Sequence, residues 1–225
     1  MATRQLLAEL VADYQKQAMK QTESAIQIES VGGVDAAKRV QAGEAFDVVI
    51  LASDAIDKLI AAGHIDPASK VNLVDSGVAV AVKAGAALPD ISSEAAVKAA
   101  VLSAKTISYS TGPSGVALAK LFERWGIAEQ IAPRIVQAPP GVPVGSLVAK
   151  GEVALGFQQL SELIGLDGIT VVGPLPADIQ ITTTFSAGVC TASKQADAVK
   201  HLLAFMASSQ TAEAKRRQGM TPAVN

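Results

Sequence analysis

The chain has 225 residues, a net charge of -2 and a single cysteine, with 49% hydrophobic but only 4% aromatic residues. That length allows one large domain or two small ones, with a core built from Ala, Val, Leu and Ile. The charge balance offers no basic face for nucleic acid, and one cysteine excludes an internal disulfide and a cysteine metal cluster. No apolar run approaches the ~20 residues of a membrane-crossing helix, so no membrane insertion is expected.

In chain order, residues 3–20 read as a helix with Leu6, Leu7, Leu10, Val11 and Tyr14 as its buried stripe. Residues 25–29 (AIQIE) read as a short strand, Val31-Gly32-Gly33 as a turn, and residues 34–41 as a second helix ended by Gly43. Residues 46–51 (FDVVIL) form a continuous apolar run, the pattern of a buried parallel strand. Ser53-Asp54 is expected to cap a helix through Ala62, and residues 73–82 form a long strand. Ser92 or Ser93 caps a helix over 94–103.

A β-branched strand over 106–109 then runs into the polar turn Ser110-Thr111-Gly112. Pro113 opens a helix with Val116, Leu118, Leu121 and Phe122 at helical spacing. Residues 134–137 read as a strand, Pro139-Pro140-Gly141 as a stiff turn, and 142–150 as a helix closed by Gly151. Strands follow at 153–157, 170–172 and 179–189, with a short helix at 158–164. The end is helical over 194–207 and 211–218, with 219–222 as a loop. Alternating strands and helices predict an α/β protein with parallel sheets covered on both faces. The long strands at 73–82 and 179–189 interrupt that rhythm as crossing strands would. They predict two discontinuous lobes, 1–80 plus 186–225 and 81–185.

Several strand ends deliver small or polar residues straight to a helix start: Ser30-Val31-Gly32-Gly33, Ser53-Asp54, Ser110 through Ser114 (with Thr111 and Gly112), Pro140-Gly141-Val142-Pro143, and Gln158-Gln159. Such ends carry free backbone N–H groups and the positive pole of the helix dipole, which suit a carboxylate or oxyanion. Read singly, each is also an ordinary cap or turn. Thr3 and Arg4 open the first helix, and Arg4 is either a bidentate carboxylate contact or a solvated side chain. Tyr109 either donates its hydroxyl to a ligand, acts as an acid/base, or packs the strand. Asp54 either caps its helix or touches ligand. His64 reads as a surface turn, His201 as a packed structural residue, and Cys190 as a buried inert thiol. Neither histidine has a partner at metal-ligand spacing, so no metal and no cofactor are expected. Nucleotide and hydrolase signatures are lacking: no Gly-Lys-Ser/Thr follows Gly112, and there is no GxGxxG or GxSxG.

The segments QAGEAFDVVILASDAIDKLIAAGHI, VNLVDSGVAVAVKAG, YSTGPSGVALAKLFERWGI, VPVGSLVAKGEVALGFQQLSEL and HLLAFMASSQTAEAKRRQGM together resemble the molybdate-binding-protein-like branch of the type 2 periplasmic binding proteins. The resemblance runs from about residue 27 to 222. It implies a two-lobed α/β fold with two crossing hinge strands, parallel-rich sheets and an anion held in an inter-lobe cleft. Carried over segment by segment, it makes Ser30, Gly32, Gly33, Ser53, Ser110, Thr111, Gly112, Ser114, Val142 and Gln158 ligand-binding, beside the candidates Thr3 and Arg4. Two departures stand out: Ser-Val-Gly-Gly replaces the serine-serine-glycine run of molybdate binders, and glutamine replaces the late tyrosine. Both favour a small organic acid over molybdate.

The resemblance implies a solute-binding component of an ABC-type transporter, with a small anionic ligand and a permease as partners and a monomeric state. The alternative is an isomerase on the same scaffold, because proteins similar to this branch shift a double bond in unsaturated acids such as aconitate or are labelled ketosteroid isomerases. Its base would be Tyr109, Asp54 or an activated Ser114. The family begins with a strand before the first helix, which this chain lacks. A periplasmic location is expected if a leader and that strand precede the chain, and a cytoplasmic one otherwise.

Overall fold

Residues 71–83 (VNLVDSGVAVAVK) are rich in valine and free of proline, and they form a 13-residue strand. The computed structural model describes residues 2–18, 25–139 and 141–225, so Lys20 and Pro140 lie outside the described residues. In chain order the elements are α1 (Arg4–Ala18), α2 (Gly33–Gln41), β1 (Val48–Ala52), α3 (Ser53–Ala61), β2 (Val71–Lys83), α4 (Glu94–Ser103), β3 (Ile107–Tyr109), α5 (Pro113–Arg124) and α6 (Ala128–Ile131). They continue with α7 (Val144–Lys150), β4 (Leu155–Gln159), α8 (Leu160–Leu163), β5 (Ile169–Pro174), β6 (Thr182–Val189), α9 (Ala196–Ala207), α10 (Ala212–Arg217) and β7 (Met220–Pro222). The chain divides into two compact units, Met1–Ser76 with Thr184–Asn225, and Gly77–Thr183. Both divisions fall inside strands: β2 crosses at Ser76/Gly77 and β6 at Thr183/Thr184.

In the first unit, β1 runs antiparallel to β6, with Val48 opposite Val189 and Ala52 opposite Phe185. β6 lies beside β2, where Thr184 Oγ1 donates to Asp75 Oδ1 at 2.6 Å and Ser186 Oγ to Asn72 Oδ1 at 2.7 Å. β7 pairs antiparallel with β2, Ser76 opposite Met220. The α1 stripe of Leu6, Leu7, Leu10 and Val11 packs with Leu73, Val74, Val189, Leu202, Leu203 and Met206. A second cluster joins Val40, Val49, Leu51, Ile56, Leu59, Ile65 and Cys190. Burial pushes the Cys190 thiol up to about 11, as befits an inert core thiol.

In the second unit, β4 pairs antiparallel with β2 and parallel with β3, and β5 adds to β2 with a register shift at Val80/Ala81. One face carries the core of Val80, Ile107, Leu118, Phe122, Ile131 and Phe157. The other is covered by α7, which presses directly on Gly156: a Cβ there would lie 2.6 Å from Val148 Cγ2 and 2.9 Å from Val144 Cγ1.

Several expectations are corrected. The sheet is mixed, since a continuous apolar run such as 46–51 reports burial on both faces and not strand direction. Residues 25–29 are no strand but a largely exposed segment, because five alternating residues form no ladder without a neighbouring strand. Residues 134–137 shrink to one parallel bridge, Ile135 to Ile107, after the 3-10 turn Ala132–Arg134. The supposed loop at 219–222 contains β7. His201 is exposed and not packed.

One core feature runs against hydropathy. Lys215 of α10 is only 1% exposed, and burial lowers its pKa. The folded state therefore binds fewer protons here than the unfolded chain. Stability must rise with pH from the lowered folded value up to the ordinary lysine value of about 10.4. Lys215→Met should stabilise the protein at pH 7 by roughly 1–3 kcal/mol and remove that rise, measured by urea unfolding across pH.

Candidate functional site

Three segments of the second unit run in one direction. β3 and β4 are parallel, with Tyr109 opposite Phe157. The 135–138 segment runs beside β3: Val136 N–H donates to Ile107 O at 2.8 Å and Ala138 N–H to Tyr109 O at 3.2 Å. Their carboxyl ends therefore share one edge of the sheet and feed α5, α7 and α8. Ligands of α/β sheets bind at such an edge.

At α5 the N-cap is Gly112 and Pro113 occupies the first helical position, where its missing N–H costs nothing. Val116 N–H is the first donor within the helix, reaching Gly112 O at 3.1 Å, so the Ser114 and Gly115 amides stand outside the helical ladder. The preceding loop folds tightly over this turn. A Cβ on Gly115 would lie 1.8 Å from Ser110 O and 3.2 Å from Tyr109 Cδ2, so only glycine fits. Gly112 N–H donates to Ser110 Oγ at 3.4 Å, Ser114 is buried, and Thr111 is exposed. The Tyr109 ring meets Phe122 edge-on at 6.1 Å, and burial raises its hydroxyl pKa.

Gln158 is 5% exposed and already engaged. Its Oε1 accepts from Val144 N–H at 3.0 Å, and its Nε2 donates to the Glu162 carboxylate. It thus ties the α7 start to the end of β4, and its amide has no need of ligand for satisfaction. Val142 does not open α7, which starts two residues later, and its N–H donates to Pro139 O at 3.0 Å. Glu162 escaped the sequence reading, which placed a helix over 158–164. The available signal was a Gln-x-x-x-Glu spacing at a strand end.

In the first unit, the α2 N-cap is Gly32, and Ala36 N–H donates to Gly32 O at 2.9 Å. The missing Cβ of Gly33 faces Leu51 Cδ2 at 3.7 Å, so the Ser30–Gly33 turn lies at the end of β1, where Ser53 begins α3. Arg39 anchors this turn: its Nη1 donates to Glu29 Oε2 at 2.7 Å, its Nη2 to Glu44 Oε2 at 2.7 Å, and its guanidinium lies 4.8 Å from the Phe46 ring centroid. Ser53 and Asp54 do not cap α3. Ala52 holds the cap position, and exposed Asp54 stands 4.0 Å from Lys58 Nζ. Thr3 is buried, with its carbonyl accepting from Leu7 N–H at 2.9 Å, and Arg4 is exposed. No hydrogen bond among the described residues joins either to Ser30, Gly32, Gly33 or Ser53.

No group of three or more His, Cys, Asp or Glu suited to a metal occurs among the described residues. A cavity of about 300 Å³ in the first unit is lined by residues including Asp13, Lys16, Phe205 and Arg217.

Residues 1–221 match the family of bacterial extracellular solute-binding proteins. An aconitate isomerase from Pseudomonas sp. is 38% identical over 185 residues, which cover 82% of this chain and 70% of that protein. The periplasmic molybdate-binding protein of Azotobacter vinelandii superposes with a TM-score of 0.78 at 20% identity, over 99% of this chain and 96% of its own. The substrate-binding domain of a putative molybdenum ABC transporter from Clostridium difficile gives 0.78 at 16% identity, over 100% and 96%.

The contact between Ser110 and the first turn of α5 is directly testable. Gly115→Ala should push the 110–112 loop off the helix start, lowering stability by about 1–3 kcal/mol in urea unfolding. Amide hydrogen exchange should accelerate at residues 110–115 and stay unchanged in the first unit.

Proposed function

The chain belongs to the bacterial extracellular solute-binding protein family, and on that premise we propose that its solute is a small organic carboxylate. Proteins of this kind receive a solute outside the cytoplasm and deliver it to an ABC-type permease. The observation that carries the choice of ligand is the α5 start: two amides outside the helical ladder, flanked by the hydroxyls of Ser110, Thr111 and Ser114. The three edge segments, 109–114, 138–144 and 157–162, contain no lysine or arginine. An anion there is held by neutral dipoles, which stabilise a carboxylate without a buried counter-ion. The name of the relative from Pseudomonas sp. supports an organic acid over molybdate. The likeness to molybdate-binding proteins, at 20% identity or below, speaks for the fold alone.

The 38% identity to an aconitate isomerase also favours a second reading, that this chain isomerises its acid. Shifting a double bond next to a carboxylate needs one proton carrier and donors for the enolate oxygen, and the α5 amides suit the second task.

A thermal-shift screen of cis-aconitate, trans-aconitate, citrate, molybdate and sulfate tests the first reading. A ligand at a hundredfold excess over its Kd adds about 2.7 kcal/mol, which corresponds to a Tm rise of roughly 5–10 °C in a chain of this size. An organic acid should produce that rise. A rise with molybdate or sulfate and none with the acids overturns the assignment. Proton NMR of cis-aconitate incubated with the protein then separates the readings: the isomerase converts it towards the trans acid, and a pure binder returns it unchanged.

A further inference from the structure

We propose that Glu162 is the proton carrier of this site, an inference that rests on the isomerase reading above. The three chain segments ending at the common sheet edge contain two ionisable side chains, Tyr109 and Glu162. Tyr109 has its ring against Phe122, and burial makes its hydroxyl harder to ionise, the wrong direction for a base. Ser114 is buried with no base hydrogen-bonded to it among the described residues. Asp54 belongs to the other unit and is exposed beside Lys58. Glu162 remains, half-buried in α8, directly after the end of β4.

Its carboxylate is also oriented. Gln158 Nε2 donates to Glu162 Oε2, while Gln158 Oε1 is fixed by the Val144 N–H at the α7 start. That chain of hydrogen bonds makes Gln158 a positioning residue. The parallel register ends with Tyr109 opposite Phe157, so the chains that lead to the α5 amides and to the Glu162 carboxylate leave the sheet at the same edge.

The step balances without a co-reactant. A Glu162 oxygen removes a proton from the methylene carbon that is both allylic and α to a carboxylate. The C–H bond breaks and an O–H bond forms. The released pair becomes the new C=C bond, and the pair of the old one moves onto the far carbon and its carboxylate, as an enolate facing the Ser114 and Gly115 amides. The Glu162 O–H then breaks to deliver the proton to that far carbon. The double bond has moved one position, and nothing is oxidised or reduced. A charged side chain that only stabilised the fold would show no link to this exchange.

The test uses the full chain with cis-aconitate in D2O, reading deuterium incorporation and cis-to-trans conversion by NMR and binding by calorimetry. Glu162→Gln should bind cis-aconitate within about threefold of the wild type, or more tightly, and lose exchange and conversion at least about 100-fold, the scale of a general base. Glu162→Asp guards against a folding defect in the amide variant: it keeps the carboxylate one methylene short, and it should bind normally and exchange at an intermediate rate. Gln158→Leu should slow exchange and shift its pH profile with little change in Kd. Exchange in Glu162→Gln or Glu162→Asp at the wild-type rate overturns the assignment and leaves the isomerase reading intact. A wild-type protein that binds cis-aconitate but neither exchanges nor converts it removes the isomerase reading, and Glu162 falls with it.

Discussion

The second unit's candidate site depends on one pairing, that of β3 with β4. Because the two strands run parallel, with Tyr109 opposite Phe157, both release their chains at the same edge. The 135–138 segment adds a third exit on the far side of β3. An antiparallel pairing would have sent the α5 and α8 starts to opposite ends of the sheet. Parallel neighbours must be linked by crossovers, and helices supply them, so exits at this edge are also helix starts. The gathering of helix starts at this edge follows from connectivity before any side chain is considered.

Side chains then divide the work. Serine, threonine and glycine keep the α5 turn small enough for the Ser110 carbonyl to close over Gly115, leaving amides turned away from the helical ladder. At α7 the analogous donor is spent internally on Gln158. The two helix starts look equivalent in the sequence, but one is open and the other is occupied by the protein's own amide. The difference has a physical source: Gln158 is a strand residue facing α7, buried deeply enough that its amide must find partners within the protein.

Local signals were legible and distant ones were not. Gly112-Pro113 marked the α5 start because a helix N-terminus is set by the backbone preferences of two residues. A cap at Ser92 or Ser93 was legible, and Ser93 fills it, its Oγ accepting from Ala96 N–H at 3.1 Å. The direction of β1 was not legible, because apolar content records burial and direction depends on β6, about 140 residues away. β7 was missed because three residues after a turn glycine become a strand only where β2 offers a free edge. Ser53 was misread as a cap because β1 extends one residue further than its apolar run, leaving Ala52 at the junction. Glu162 was missed for the same reason: β4 runs on through Gln159, so what looked like a helix interior is a strand end followed by a single turn.

The division of the chain also bears on how the molecule is made. The second unit, Gly77–Thr183, is one uninterrupted stretch, whereas the first needs residues from both ends of the chain. During translation the central stretch is complete when it leaves the ribosome. The earlier α1 stripe must wait for Leu202, Leu203 and Met206 of α9 before its apolar face is covered. Domains folding as units in order of synthesis would therefore assemble the middle first and the ends last. The interval in which Leu6, Leu7, Leu10 and Val11 stand bare is the stage at which a nascent chain of this design most needs a chaperone.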